Sequence, residues 1–320
     1  MRILSRAEVV SLVSMESAID AMASAFGQLS AGNAEMPIRG RLTTGPGVTL
    51  FMPARLATDQ YRGAKVVSLY QNNRSKNLPS IHGVILMIDD ETGQPVALMD
   101  AGELTAIRTA AATGLAAKLL SRPESSVLTI FGAGGQAPRQ IEAVRTVRPI
   151  TEVRVVSRNG ESAARLAASL EGVDARAVSD PAIAIRGADI IVCATTSSAP
   201  VFPGSALPAG THVSGVGSFT HEMQEVDVDV VRRARVVVED VESAMEEAGD
   251  LIIPMEAGDV PKDVIDCELG DIVNGAQPEG SAGRELTFFK SVGTAVQDVA
   301  VGAAVLQAAI EANVGTVVEV

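Results

Sequence analysis

Apolar positions change their spacing three times along the chain, and each change predicts a different kind of structure. After Ser5 and Glu8, placed as a capping box, and after Ser14, the apolar residues Ile19, Met22, Phe26 and Leu29 recur at helical spacing until Gly32, so the chain opens with helices. From 47 to 100 the texture turns to short β-like runs, "VTLFMPA", "GAKVVSLY" and "GVILMID", divided by Gly, Pro and Asn clusters, which predicts an antiparallel sheet. The segment "TAIRTAAATGLAAKLL" predicts a small-residue helix whose first turn contains Arg108. Past Ser125 the rhythm is strand, helix, strand. The runs "VLTIF", "EVRVVS", "DARAV", "DIIVCA", "HVSGVG" and "RVVVED" alternate with helical intervals such as "GESAARLAASL", the pattern of a parallel sheet covered on both faces. A final helix over "TAVQDVAVGAAVLQAAIEANV" returns to pack on the first domain.

The fold class is therefore α/β: a Rossmann-type doubly wound parallel sheet plus an α+β domain built from both chain ends. The boundaries read from the sequence are 1–117 with 299–320 for the latter and 118–298 for the former.

Composition narrows the functions. The chain has 320 residues, 47% hydrophobic and 20% charged, which is material for two soluble globular domains. A formal net charge of −13 argues against a nucleic-acid or anionic-membrane partner, because both demand clustered Lys and Arg. Any anion site must be local. Cys193 and Cys267 are too few for a disulfide framework, and "MRILSRAEVVSLVS" lacks the apolar segment of a secretory signal, so the expected compartment is the reducing cytoplasm. His82, His212 and His221 have no paired ligand spacing, and no metal is expected.

The stretch "VLTIFGAGGQAPRQ" carries the first chemistry. Gly132, Gly134 and Ala137 follow a strand and open a helix, the context in which G-x-G-x-x-A signals a dinucleotide. Gly132 permits the tight turn, Gly134 lets backbone approach a pyrophosphate, and Ala137 lets helix and strand pack, while the helix N–H groups attract the anion. Gly135 and Gln136 complete the loop. The next strand ends in Ser157, Arg158 and Asn159, where an NAD enzyme usually places a carboxylate for the ribose 2′-OH. Hydroxyl, guanidinium and amide donors suit a 2′-phosphate instead, so NADPH is the expected cofactor, with NADH possible. Thr195, Thr196 and Ser197 follow the fourth strand, where such loops cover the cofactor.

Several further motifs resemble the ornithine cyclodeaminase/mu-crystallin family from end to end: "MPIRG", "FMPA", "GAKVVSLY", "LPSIHGVILMIDDETGQPVALMD", "TAIRTAAATGLAA", "GAGGQA" and "FFKSVGTAVQD". The resemblance implies a dimerising substrate domain, a Rossmann domain, and chemistry on cyclic imino acids or amino acids. It also implies that a substrate carboxylate is held by Arg39, Lys65 and Arg108, which stand as the catalytic candidates, with Met52, His82 and Thr109 beside them. It places Lys290 and Ser291 near the nicotinamide, although Lys290 also reads as a cap on its strand. His82 reads equally as a site residue or as a core histidine. Physically, Lys65 lies in an apolar strand where an ammonium demands a counter-anion.

Two departures select a branch. Cyclodeaminases of the family carry an aspartate where this chain has Phe219, and a glutamate where it has Leu50. Neither Phe nor Leu transfers a proton. The resemblance therefore points to ketimine reductases, which convert Δ1-pyrroline-2-carboxylate or Δ1-piperideine-2-carboxylate to L-proline or L-pipecolate, as a homodimer. Its rivals are ornithine cyclodeaminase or alanine dehydrogenase activity and, in another class, a non-catalytic NADP(H)-dependent binder of the crystallin kind.

Overall fold

In the computed structural model, which describes residues 1–276 and 284–319, the chain divides into two compact units. One is Met1–Arg108 with Thr294–Val320; the other is Thr109–Gly293. The divisions fall ahead of the sequence boundaries at 117 and 298. The described residues form two eight-stranded sheets, one in each unit. Among them no single helix is long and apolar enough to cross a membrane.

The first unit begins as its sequence requires. Ser5 and Glu8 close the capping box of the helix Arg6–Leu12, and the Ser14 hydroxyl accepts from Ser17 N at the start of Met15–Ser30. Such caps are worth about 1 kcal/mol each. The sheet runs Thr316–Val317, Arg2–Leu4, Pro95–Asp100, Ile81–Asp89, Tyr61–Leu69, Gly47–Leu56 and Ala34–Glu35, with Gly40–Thr44 also paired to Gly47–Leu56. Its pairs are antiparallel except that Arg2–Leu4 runs parallel to Pro95–Asp100.

The helix Ala295–Glu311 lies across this sheet and against Met15–Ser30, as the sequence predicts. It comes close because it presents a glycine: a Cβ on Gly302 would stand 2.9 Å from Met87 Sδ and 3.8 Å from Ile85 Cγ2. Asp298 lies one turn earlier on the same helical face. The close approach at Gly302 thus delivers a carboxylate to the strand residues beside Ile85.

The helix containing Arg108 starts earlier than its sequence suggests, at Ala101, and runs to Leu120. Asp100 supplies the start, its Oδ1 accepting from Glu103 N at 3.1 Å. Arg108 is consequently well inside the helix and not in its first turn, so its own turn has no free N–H groups.

In the second unit the strand pairs of the described residues are parallel, in the order Asp174–Ala177, Glu152–Val156, Val127–Phe131, Ile190–Cys193, His212–Gly215, Leu286–Lys290, Ala234–Val238 and Cys267–Glu268. Alternate residues feed opposite cores. Leu128, Ile130, Val153, Val155, Ile190 and Val192 pack beside the helices Ala137–Val147 and Gly160–Ala168, whereas Phe131, Ile191, Cys193, Val213 and Phe288 join the other core. Burial on both faces is why these strands read as unbroken apolar runs. The winding reverses between Val127–Phe131 and Ile190–Cys193, and a ligand of such a sheet binds outside the carboxyl ends at that reversal.

Candidate active site

Gly132 stands at the reversal with φ of 105°, and a Cβ there would lie 2.4 Å from Ala194 O. Only glycine fits. Gly134 and Gly135 have no atom within 4 Å of an added Cβ, so their backbone faces open space. Ala137 is fully buried in the core, and Gln136, the residue before the helix, makes no side-chain cap. Within the turn itself, Ala137 N donates to Gly134 O at 3.1 Å and Gln140 N to Gln136 O at 3.1 Å, and Pro138 carries no N–H. Gln136 Oε1 is buried without a hydrogen-bond partner among the described residues. The open backbone at Gly134 and Gly135, beside a turn that only glycine fits, suits the close approach of a dinucleotide pyrophosphate.

At the end of the adjacent strand, Ser157 is half-buried and Arg158 is exposed, the latter with no hydrogen-bond or ion-pair partner among the described residues. Asn159 is committed to local structure, its Oδ1 accepting from Glu161 N at 3.0 Å as the N-cap of Gly160–Ala168. The loop at 195–197 also bonds largely to itself. Thr195 donates its hydroxyl to Glu225 at 2.8 Å and Ser197 donates its own to Ala199 O at 2.6 Å, which leaves Thr196 as the exposed member.

Glu225 was not legible in the sequence. Fully buried, it accepts from Thr195 N and Thr195 Oγ1 through Oε1, and from Gly217 N and Ser218 N through Oε2. One side chain thus ties together the loops after Ile190–Cys193 and His212–Gly215. Burial pushes its pKa upward, opposed by the Lys290 ammonium. Asp250 extends the network: Oδ1 accepts from Glu225 N and Val226 N, and Oδ2 lies 2.8 Å from Lys290 Nζ, which also donates to Ser218 O at 2.5 Å. Lys290 is therefore more than a cap on its strand. Beside it the Ser291 hydroxyl donates to Glu239, whose carboxylate also takes Val292 N at 2.9 Å. The side chains of Lys290 and Ser291 both serve the protein interior. Glu239 offered one signal, a carboxylate directly after the apolar run Val236–Val238.

The first unit gathers the other candidates. Met52, Lys65 and Ile85 are cross-strand neighbours on one face of the sheet. Lys65 is 3% exposed, and the anion its burial demands is Asp298, whose Oδ2 lies 2.7 Å from Nζ. Asp298 Oδ1 accepts from Arg108 Nε at 3.1 Å, and Arg108 donates also to Gln297. Burial brings the Lys65 pKa down to about 8; Arg108 adds repulsion, Asp298 opposes the fall, and Arg39 contributes a smaller lowering. The three predicted cations thus share one electrostatic neighbourhood. Thr109 is buried next to Arg108.

His82 does not join them. It pairs with Ser68, three residues from Lys65, and the alternation of a strand turns it to the opposite, exposed face. Its exposure also removes the core-histidine reading. Leu50 shares the face of Met52 and Lys65, which puts an apolar side chain on the cluster's side of the sheet. Phe219 is 37% exposed on a loop of the second unit. His212 is a buried structural residue between Thr287 and Ser214, its pKa pushed down to about 3 by burial. Among the described residues no three His, Cys, Asp or Glu side chains form a metal site.

Comparison with known proteins agrees with this geometry. Residues 1–313 match the ornithine cyclodeaminase/mu-crystallin family over nearly the whole chain. The chain belongs to that family. Among its members, a Δ1-pyrroline-2-carboxylate reductase of Bacillus cereus is 36% identical, with both chains covered completely. The structure of Thermococcus litoralis Δ1-pyrroline-2-carboxylate reductase in complex with NADH and L-proline has a TM-score of 0.94 at 37% identity, covering 99% of this chain and 100% of that one. An archaeal alanine dehydrogenase, solved as a dimer with bound NAD, has a TM-score of 0.93 at 34% identity, covering 100% and 99%. These family members are similar to this chain throughout both units, and the Rossmann unit is that of a nicotinamide dinucleotide enzyme.

Proposed function

We infer that this chain is an NAD(P)H-dependent ketimine reductase that converts Δ1-pyrroline-2-carboxylate, Δ1-piperideine-2-carboxylate or both to L-proline and L-pipecolate. The observation that carries the reading is the buried pair Lys65 and Arg108 about a single carboxylate, Asp298, with Arg39 in the electrostatic neighbourhood of Lys65. Two buried cations against one carboxylate leave positive charge for a ligand, and a planar imino acid brings a carboxylate to it. The cofactor, when bound, supplies hydride to the imine carbon. The Gly132–Ala137 loop and the helix behind it hold the pyrophosphate, while Glu225 and Glu239 fix the loops at the same edge of the sheet.

Arg108 and Arg39 anchor and orient the substrate carboxylate; Lys65 manages the proton at the imine nitrogen. Leu50 and Phe219 offer no proton transfer, which favours reduction of a preformed imine over deamination of an open-chain amino acid.

Arg158, exposed and without a partner among the described residues, meets a 2′-phosphate and makes NADPH the preferred cofactor. Leu42, Phe51 and Val84 share the sheet face opposite Lys65 and are 63%, 40% and 41% exposed, a surface suited to a second copy of the chain in a homodimer. Two free cysteines suit the cytoplasm.

The test is oxidation of NADPH and NADH with each ketimine. Ketimine-dependent turnover with NADPH preferred is expected, and Arg158→Ala should erode that preference roughly tenfold through loss of a charge-assisted contact. Equal kinetics with both cofactors in the unaltered enzyme would contradict the NADPH assignment.

A further inference from the structure

The helix that crosses the sheet of the first unit, Ala295–Glu311, begins with donors and no acceptor. Its N-cap, Thr294, is a residue type that normally turns its hydroxyl back to accept from an N–H of the first turn. Here it makes no such cap. Gln297 N bonds to the Thr294 carbonyl at 3.3 Å instead, and Thr294 Oγ1 has no hydrogen-bond partner among the described residues although Thr294 is only 2% exposed. Ala295 and Val296 are buried as well, and neither N–H makes a hydrogen bond outside the helix among the described residues. The start of this 17-residue helix thus buries one hydroxyl and two N–H groups without partners.

Arg108 stands at the same turn. It donates through Nε to Asp298 at 3.1 Å and through Nη1 to Gln297, and its Nη2 has no partner among the described residues. Lys65 takes the other oxygen of Asp298 at 2.7 Å. Thr294 lies one turn before Asp298, and residues so spaced are about 5 to 6 Å apart at Cβ, which brings the hydroxyl and the free edge of the guanidinium within the span of one small carboxylate-bearing ring.

We propose that the N-terminus of the helix Ala295–Glu311 is a carboxylate subsite, in which the Thr294 hydroxyl and the N–H groups of Ala295 and Val296 donate to one oxygen of the ketimine carboxylate while Arg108 Nη2 donates to the other. This rests on the reductase reading and adds Thr294 to it as a specificity-determining residue. A buried hydroxyl and buried N–H groups without partners are costly, and an arriving acceptor recovers that cost. The acceptor must be anionic. The backbone N–H groups and the guanidinium can only donate, the positive end of the helix dipole adds to the charge of Arg108, and the one carboxylate of the turn, Asp298, is already taken by Lys65 and Arg108. Arg108 has no free N–H groups in its own turn; a second helix brings them to it.

The experiment measures the affinity of the dinucleotide-saturated protein for pyrrole-2-carboxylate, a planar ring with the carboxylate but no reducible imine, in the parent, Thr294→Val and Thr294→Ser, beside thermal unfolding without the analogue. Valine keeps the shape and removes the hydroxyl. Analogue affinity should fall roughly ten- to a hundredfold, the worth of one hydrogen bond to a charged group, and kcat/KM for a ketimine should fall with it. The Tm should hold or rise, because no partner inside the protein is lost, and serine should restore most of the affinity. Should valine pack badly, Thr294→Ala gives the same reading without a Cγ to place. Analogue affinity within twofold of the parent in the valine and alanine variants overturns the proposal. So does a loss of affinity that serine does not restore, which would assign the effect to packing and not to the hydroxyl. Absence of ketimine turnover in the unaltered enzyme, with analogue binding still dependent on Thr294, would overturn the reductase reading and leave the carboxylate subsite standing.

Discussion

Each unit of the molecule buries a charged cluster, and the two are built to opposite ends. In the second unit Glu225, Asp250 and Lys290 find their partners within the protein: four donors on the Glu225 carboxylate, two backbone N–H groups and an ammonium on Asp250, a carbonyl and a carboxylate on Lys290. That network is closed, and it fixes loops. In the first unit Lys65 and Arg108 share one carboxylate, Asp298, with Arg39 acting on Lys65 through its charge. That cluster is charge-deficient until an anion arrives. Burial of charge alone therefore does not mark a ligand site; an excess of cations that the surrounding backbone and side chains do not neutralise does.

The difference can be broken from either side. Lys290→Met should have the larger effect on the fold, because it strands Asp250 as an uncompensated buried charge at a cost of about 3 to 5 kcal/mol, a fall in Tm on the order of 10 °C. Thermal unfolding followed by circular dichroism checks this, and a change of a degree or two would show that the network is not structural. Arg108→Ala attacks the open cluster, where Lys65 still satisfies Asp298. It should lose roughly 10² to 10³ in kcat/KM for a ketimine with little change in dinucleotide affinity, since the lost contact is worth about 2 to 5 kcal/mol. Arg108→Lys should restore little, because the bidentate fork is gone. Unaltered ketimine kinetics in Arg108→Ala would remove this residue from the site.

The same contrast decides what was legible in the sequence. The turn at Gly132, its helix and the alternation of buried strands are local patterns, and they reappear in the structure as read. So does the demand of Lys65 for an anion, since an ammonium in an apolar strand is a local contradiction. The identity of that anion is not local. Asp298 reaches Lys65 only because Gly302 lets a distant helix lie close on the sheet. Glu225 and Asp250 are likewise defined by contacts among separate loops, with no spacing to betray them. Arg108 was placed at a helix start because Asp100 reads as the last residue of a strand, when its side chain begins the helix. His82 lay within a family motif, and only the strand register reveals which face it occupies.

The central claim is that the open cluster serves reduction of a preformed ketimine and not deamination, a choice carried by Leu50 and Phe219. A well-placed proton-transfer group is worth about 10² to 10⁴ in rate, enough to separate the two chemistries. The most direct measurement sets NADPH consumption with Δ1-pyrroline-2-carboxylate beside ammonia and proline formation from L-ornithine with catalytic NADP⁺ or NAD⁺. Rapid ketimine-dependent NADPH oxidation with no ammonia from ornithine is the predicted result; rapid ammonia release without ketimine-dependent oxidation would contradict it.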